Sequence, residues 1–221
     1  MAATREGESC ALNTESTTPQ RPTRVVGLLG GVASGKSLIA EQLTKLGAKV
    51  LDADGAGHVV LETPEVKQAL VDRWGQQILA DDGRIHRQAV ARIVFARTPE
   101  GRRELAYLER LTHPRIGAML REEAAEAAKN GIPLVVLDAA VMTKAGWDEF
   151  CDKIVFVEAP REVRIERARK RGWTEEEFTA REAAQESLDQ KRERADTIID
   201  NSASPELAQA QVKRLWSTLV G

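Results

Sequence analysis

Residues Gly30-Gly31-Val32-Ala33-Ser34-Gly35-Lys36-Ser37 fit the pattern Gly-x-x-x-x-Gly-Lys-[Ser/Thr], and their types suit a polyphosphate. Glycines let successive backbone N–H groups curl around an anion, and a helix starting behind them adds a favourable dipole. Lys36 has the reach for β- and γ-phosphates, and the Ser37 hydroxyl is a ligand for Mg²⁺. The stretch from Gly31 to Leu38 is therefore expected to hold a nucleoside triphosphate together with Mg²⁺.

Three further groups bear on what becomes of that triphosphate. Asp52 and Asp54 end the segment Ala48-Lys49-Val50-Leu51-Asp52-Ala53-Asp54, which reads as a short strand. A carboxylate at the carboxyl end of a parallel strand can accept a proton from an attacking hydroxyl or help hold a metal; a helix-capping or turn-forming aspartate is the alternative. Asp138 closes the apolar run Leu134 to Leu137, as a metal-side carboxylate would. Residues 161–171 carry six basic side chains against Glu162 and Glu166, with Arg164, Arg167 and Arg171 at i, i+3 and i+7. Such a face either stabilises charge on a transferring phosphoryl group or lies solvated, balanced by the glutamates of 175–186. Beside a phosphate loop, a basic lid is the expected reading.

The elements needed to position these groups are legible in the pattern. Arg24 to Leu29 reads as a buried strand, and Leu38 to Leu46 as a helix stopped at Gly47. Residues 64–112 have helical spacing, interrupted at Gly75 and at Asp81-Asp82-Gly83, and His113-Pro114 is expected to break the helix before it resumes toward Lys129. Strands are expected near 132–138, 153–157 and 197–199, helices over 160–171, 174–192 and 205–219. This alternation implies an α/β fold, a parallel sheet with helices on both faces.

The bulk composition narrows the classes. A net charge of −2 gives no global pull toward nucleic acid or anionic membrane. No apolar run approaches the roughly 18–20 residues of a membrane helix. Two cysteines, Cys10 and Cys151, make no disulfide framework, and a reduced, cytoplasmic setting is expected. Residues 1–23 read as a disordered tail and 24–221 as one domain. His86 reads as a surface residue, and the four tryptophans as packing residues. No Asn-Lys-x-Asp guanine-reading motif occurs, which argues against a GTPase and leaves a small-molecule kinase as the leading class.

Over residues 24–205 the chain resembles the dephospho-coenzyme A kinase family. The resemblance is carried by Gly27 to Ser37, by Leu46-Gly47-Ala48-Lys49-Val50-Leu51-Asp52-Ala53-Asp54 with His58, and by His113-Pro114-Arg115-Ile116. It continues through Glu166-Arg167-Ala168-Arg169-Lys170-Arg171, then Arg181, Gln185 and Lys191 at the family's lid spacing, and ends with Ala195 to Ser202. The resemblance implies a P-loop kinase fold with a five-stranded parallel sheet, a helical acceptor-binding insertion at about 58–112 and a lid at about 164–192. It implies transfer of the ATP γ-phosphate to the ribose 3′-hydroxyl of dephospho-CoA, the last step of coenzyme A synthesis. Asp54 would orient and deprotonate that hydroxyl. Arg167, Arg171 and Arg181 would close over the phosphates; His58, His113 and Arg115 would line the acceptor side; Asn201 would lie beside the adenine. The chain departs from the family where Ala140-Val141-Met142-Thr143-Lys144 replaces a Pro-Leu-Leu-Phe-Glu-like segment, and at Arg164, where glutamine is common. Those departures leave phosphate transfer intact and put the acceptor wall in question. A kinase for another nucleoside or nucleotide, and a non-catalytic nucleotide-binding module, are the competing readings.

Overall fold

The computed structural model describes residues 22–221. Of the tail expected over 1–23, with Cys10, all but Pro22 and Thr23 lies outside the described residues. Five strands form one sheet in the order β2-β3-β1-β4-β5, every pairing parallel: β1 (Arg24–Gly30), β2 (Lys49–Leu51), β3 (Leu134–Leu137), β4 (Lys153–Glu158) and β5 (Thr197–Asp200). Helix α1 (Lys36–Lys45) follows β1. Four helices connect β2 to β3: α2 (Ala53–Glu62), α3 (Pro64–Trp74), α4 (Arg87–Val94) and α5 (Pro99–Lys129). Between β4 and β5 lie α6 (Arg161–Lys170), α7 (Glu175–Ala183) and α8 (Leu188–Glu193), and α9 (Pro205–Val220) closes the chain.

Strand periodicity sorts the apolar side chains into two cores. Val26, Leu28, Leu134, Val136, Val155 and Val157 pack against α1 and α9, whereas Leu29, Val135, Leu137, Ile154 and Phe156 face α2–α5. The sheet is buried on both faces, so its central strands are nearly continuous apolar runs. Each fully buried valine or leucine contributes about 1.5–3 kcal/mol. Because β1 has β3 on one side and β4 on the other, the chain changes direction there, and a crevice opens at the carboxyl ends of these strands.

Three expectations about elements need correction. Asp52 and Asp54 do not end a strand: β2 stops at Leu51, Asp52 caps α2 by accepting from the Gly55 N–H at 2.8 Å, and Asp54 lies in the first helical turn. Carboxylates there are favoured by the unsatisfied N–H groups and the helix dipole. His113-Pro114 does not break a helix, since α5 runs through it unbroken. An internal proline removes one hydrogen bond, here the one Arg110 O would accept, and costs about 3 kcal/mol; side chains bond carbonyls on either side of it. Arg115 Nη1 donates to Leu111 O (2.7 Å), Thr112 Oγ1 to Leu108 O (2.8 Å) and Trp147 Nε1 to His113 O (3.1 Å). Burial of Ile116, Leu120, Ala124 and Ala127 holds the distal half against the core. Finally, 174–192 is two helices, because Ser187 starts a new one by accepting from the Gln190 N–H.

Candidate functional site

The loop between β1 and α1 is shaped by what its carbonyls bond. Ser34 O accepts from Asn201 Nδ2 (2.8 Å) and Arg167 Nη1 (3.0 Å), Val32 O from Arg164 Nη1 (3.5 Å), and Gly30 O from Lys191 Nζ (3.4 Å). With these carbonyls turned inward, the N–H groups at the start of α1, which have no intrahelical acceptor, are left to face the crevice. The loop needs left-handed backbone at Gly35 (φ 97°), where a Cβ would collide with the Asn201 amide, and at Ala33 (φ 58°). A non-glycine residue in that region stores strain that the surrounding contacts must hold. The Ser34 hydroxyl is buried beneath the loop with no hydrogen-bond partner among the described residues. Main-chain donors at a helix start and a cradle that a side chain would fill are the features an anionic phosphate fits.

Lys36 Nζ lies 3.9 Å from Asp138 Oδ1. Burial pushes the Asp138 carboxyl above its ordinary value; Lys36 opposes that rise and Asp54 adds to it. Two carboxylates and an ammonium therefore sense one another at the strand ends. Ser37 is exposed on the first turn of α1. Among the described residues no group of three or more His, Cys, Asp or Glu could form an all-protein metal cage. Hard oxygen donors in small number, with a half-buried carboxylate beside a lysine, suit Mg²⁺, which is held by one or two protein ligands, phosphates and water. The residues present fit the ion.

Beside Asp54 a cavity of about 400 Å³ is lined by His58, Leu105, Leu108, Thr112, His113, Val141 and Trp147 among others. Gly117 lets the Trp147 indole approach α5, and His113 meets that ring edge-on with centroids 5.6 Å apart. Burial pushes the His113 imidazole below its ordinary value; Glu109 pulls it back up and Lys144 pushes it further down. Of the 140–144 segment, Ala140 and Val141 form part of one wall. The segment's Lys144 Nζ donates to Glu109 Oε1 (2.5 Å) on α5, and Thr143 Oγ1 donates to Glu186 Oε2 (2.8 Å) in the α7–α8 loop.

Of the residues singled out in the sequence, Gly31 to Leu38, Asn201, Asp138 and Asp54 gather around the crevice, and His58 and His113 line the adjoining cavity. Arg115 does not line it: two residues beyond His113 it faces another side of α5 and turns back onto its own helix. The three arginines divide. Arg167 is occupied by the loop carbonyl of Ser34 and by Asn201 O (2.8 Å). Arg171 is exposed at the end of α6, and Arg181 stacks on Trp173 at 4.2 Å. Arg164 is buried, not on a solvated face, with its guanidinium on Glu182 (2.6 Å) and Ala159 O (3.1 Å).

His86 is not remote from the motifs. It lines a second cavity together with His58, whose Nε2 meets Arg87 Nη1. Glu182, Glu109 and Trp147 carry geometry that the sequence reading missed. The charge balance between 161–171 and 175–186 was a signal for Glu182; nothing in the pattern pointed to Trp147. Cys151, half-buried, has its thiol pushed up to about 12 by burial and by Asp148 and Asp152, so it is unreactive. No helix among the described residues is long and apolar enough to cross a membrane.

The family model for dephospho-CoA kinase matches residues 24–206. A dephospho-CoA kinase of Symbiobacterium thermophilum is 39% identical over 200 residues, covering 90% of this chain and 82% of the relative. One of Anaeromyxobacter dehalogenans is 38% identical over 201 residues, covering 90% and 93%. Among solved structures, TT1252 from Thermus thermophilus superposes with a TM-score of 0.74 at 31% identity, covering 91% of this chain and all (100%) of that one. A dephospho-CoA kinase from Campylobacter jejuni shares the fold, with a TM-score of 0.60 at 22% identity, covering 90% and 98%.

Proposed function

The chain belongs to the dephospho-CoA kinase family, and from that premise we propose how its residues divide the phosphorylation of dephospho-CoA in coenzyme A synthesis. ATP occupies the crevice, with Gly31 to Leu38 around its phosphates and Asn201 on the adenine side. The ribose of the acceptor lies in the cavity lined by Asp54, His58 and His113. Asp54 orients the 3′-hydroxyl and takes its proton as the oxygen attacks the terminal phosphorus, and ADP leaves along the loop. Lys36 offsets charge on the transferring group from below. Arg171, exposed at the end of α6, and Arg181, exposed and released from its stack on Trp173, close over it with the 164–192 segment, while Arg167 keeps the loop in shape. Ser37 and Asp138 would hold Mg²⁺, which supplies charge neutralisation across the phosphates. The region 58–112 is the acceptor-binding insertion. The substrates are small molecules, and the setting is cytoplasmic.

The observation that carries this reading is the position of Asp54: it lines the acceptor cavity and is close enough to Asp138 to raise that carboxyl, which itself lies beside Lys36. One carboxylate thus stands between the donor loop and an otherwise largely apolar pocket. A coupled assay with ATP and dephospho-CoA tests it. Wild type should release ADP in step with coenzyme A, and Asp54→Asn should lower turnover by about 10²–10⁴-fold, the usual worth of a positioned base, with ATP affinity unchanged. Turnover close to wild type in Asp54→Asn removes Asp54 from the role of base.

A further inference from the structure

Lys191 is a lysine without a counter-ion in a place where a counter-ion is needed. It lies on α8 and is 4% exposed. Its ammonium donates only to neutral oxygens, Gln185 Oε1 at 2.8 Å and Gly30 O at 3.4 Å, and it forms no ion pair among the described residues. The bond to Gly30 is long for a charged donor, for which about 2.7–2.9 Å is usual. The charged groups that act on it from the surrounding elements are Lys36 and Arg164, both unfavourable, and Glu186, favourable from beyond contact. Burial next to like charges disfavours the ammonium and pushes it below its ordinary value. Arg164 is different: it has Glu182 in direct contact.

Gly30 is the first residue of the phosphate loop, and the Lys36 side chain passes the same glycine, its Cγ 3.4 Å from where a Cβ would stand. Two ammonium-bearing side chains therefore border one point of the loop, and only Lys36 has an aspartate nearby. A buried cation lacking an anion is costly unless an anion arrives. The group that arrives here, on the reading of residues 30–37 as the nucleotide cradle, is a phosphate. We propose that Lys191 binds the terminal phosphate of the bound nucleotide as a second ammonium beside Lys36. It exchanges a weak bond to Gly30 O for a charge-assisted one, and because Gln185 accepts from the same ammonium, α8 and the α7–α8 loop are tied to the presence of that phosphate.

The experiment measures the affinities of ATP, ADP and AMP for wild type, Lys191→Gln, Lys191→Arg and Lys36→Ala, with melting temperatures in parallel. Loss of a charged hydrogen bond predicts that Lys191→Gln weakens ATP about tenfold and ADP less, leaving AMP unchanged. Lys191→Arg should stay within about threefold of wild type. Unchanged ATP affinity in Lys191→Gln, alongside a large loss in Lys36→Ala, overturns this inference and leaves the cradle standing. Equal weakening of all three nucleotides with a lowered melting temperature also overturns it, since a tether of α8 to β1 would act that way. Unchanged ATP affinity in Lys36→Ala would overturn both readings. Should Lys191→Gln not fold, a crystal structure of the wild type with a non-hydrolysable ATP analogue decides. Lys191 Nζ within about 3.2 Å of a phosphate oxygen is the expected result; Nζ still on Gly30 O rejects the proposal.

Discussion

The two halves of the site are built by different means. The donor half is main chain, held in shape by side chains that reach it from distant elements: buried Arg164 and half-buried Arg167 from α6, and buried Lys191 from α8 and Asn201 from beyond β5. The acceptor half is made of the side chains themselves, on α2, on α5 and on the 138–147 segment, from the buried Trp147 and Thr112 to the exposed Asp54 and His58, with pairs such as Lys144–Glu109 nearby. A change beneath the donor loop removes support from backbone that is strained at Ala33, so it should cost stability and nucleotide binding together. A change in the acceptor wall should alter the fit of one substrate and little else.

The sharpest way to break that contrast is through Glu182. Arg164 is 3% exposed and depends on this carboxylate, 2.6 Å away, for its only ion pair among the described residues. Removing one partner of a buried pair leaves the other charge unpaired, at a cost of about 3 kcal/mol. Glu182→Gln should therefore lower the free energy of chemical unfolding by about that much and weaken ATP, because Arg164 also supports Val32 O. The double variant Arg164→Gln/Glu182→Gln should lose less than the single one, since no buried charge is stranded. A Glu182→Gln protein as stable as wild type would mean the donor half is not braced from α6.

That bracing also explains what could be read in the sequence. The loop is a local motif, and Lys36, Ser37 and the strand before them follow from neighbours in the chain. The sheet was equally legible, because strands buried on both faces leave apolar runs such as Leu134 to Leu137. The acceptor side was not. Asp54 looks like a strand end because the pattern leaves a strand-end and a helix-capping Asp52 both open; only the bond to Gly55 N settles it. His113-Pro114 looks like a break because local propensity cannot see Trp147, which arrives from 34 residues away to bond the His113 carbonyl. Arg115 shared a motif with His113 but not a helix face. His86 stood outside every motif and became a neighbour of His58 only when α4 packed beside α2. Arg164 looked like lid surface, because burial of a guanidinium depends on an acid 18 residues on.

The acceptor half is probed with smaller effects. Lys144 bonds Glu109, which lines the cavity, at 2.5 Å, with 58% of its side chain exposed. An exposed pair of this kind is worth about 0.2–1 kcal/mol. Lys144→Glu sets two carboxylates against each other there. It should raise the KM for dephospho-CoA by about threefold, leaving the KM for ATP and the melting temperature within error. Parallel changes in both KM values would show that the two halves are coupled through Thr143 and Glu186 and are not independent.

The smallest effect is the most specific to this wall. His113 has its imidazole below the ordinary value of 6.5, through burial first, with Lys144 reinforcing the shift and Glu109 opposing it. The folded protein therefore binds this proton less readily than the unfolded chain. The contribution to stability is complete above about pH 6.5 and is lost as pH falls through the folded value. With three histidines in the chain, each imidazole can be followed by NMR. The His113 signal should titrate below 6.5 in wild type. In Lys144→Glu a cation is exchanged for an anion near the ring, so its midpoint should move up toward 6.5 and the acid loss of stability should become smaller. His113→Asn should flatten the dependence of melting temperature on pH between about 7 and 5, by less than about 1 kcal/mol for a half-buried group. A His113 midpoint that ignores the charge at 144 would show that burial alone sets it. Lys144 would then act on the acceptor through shape and not through charge.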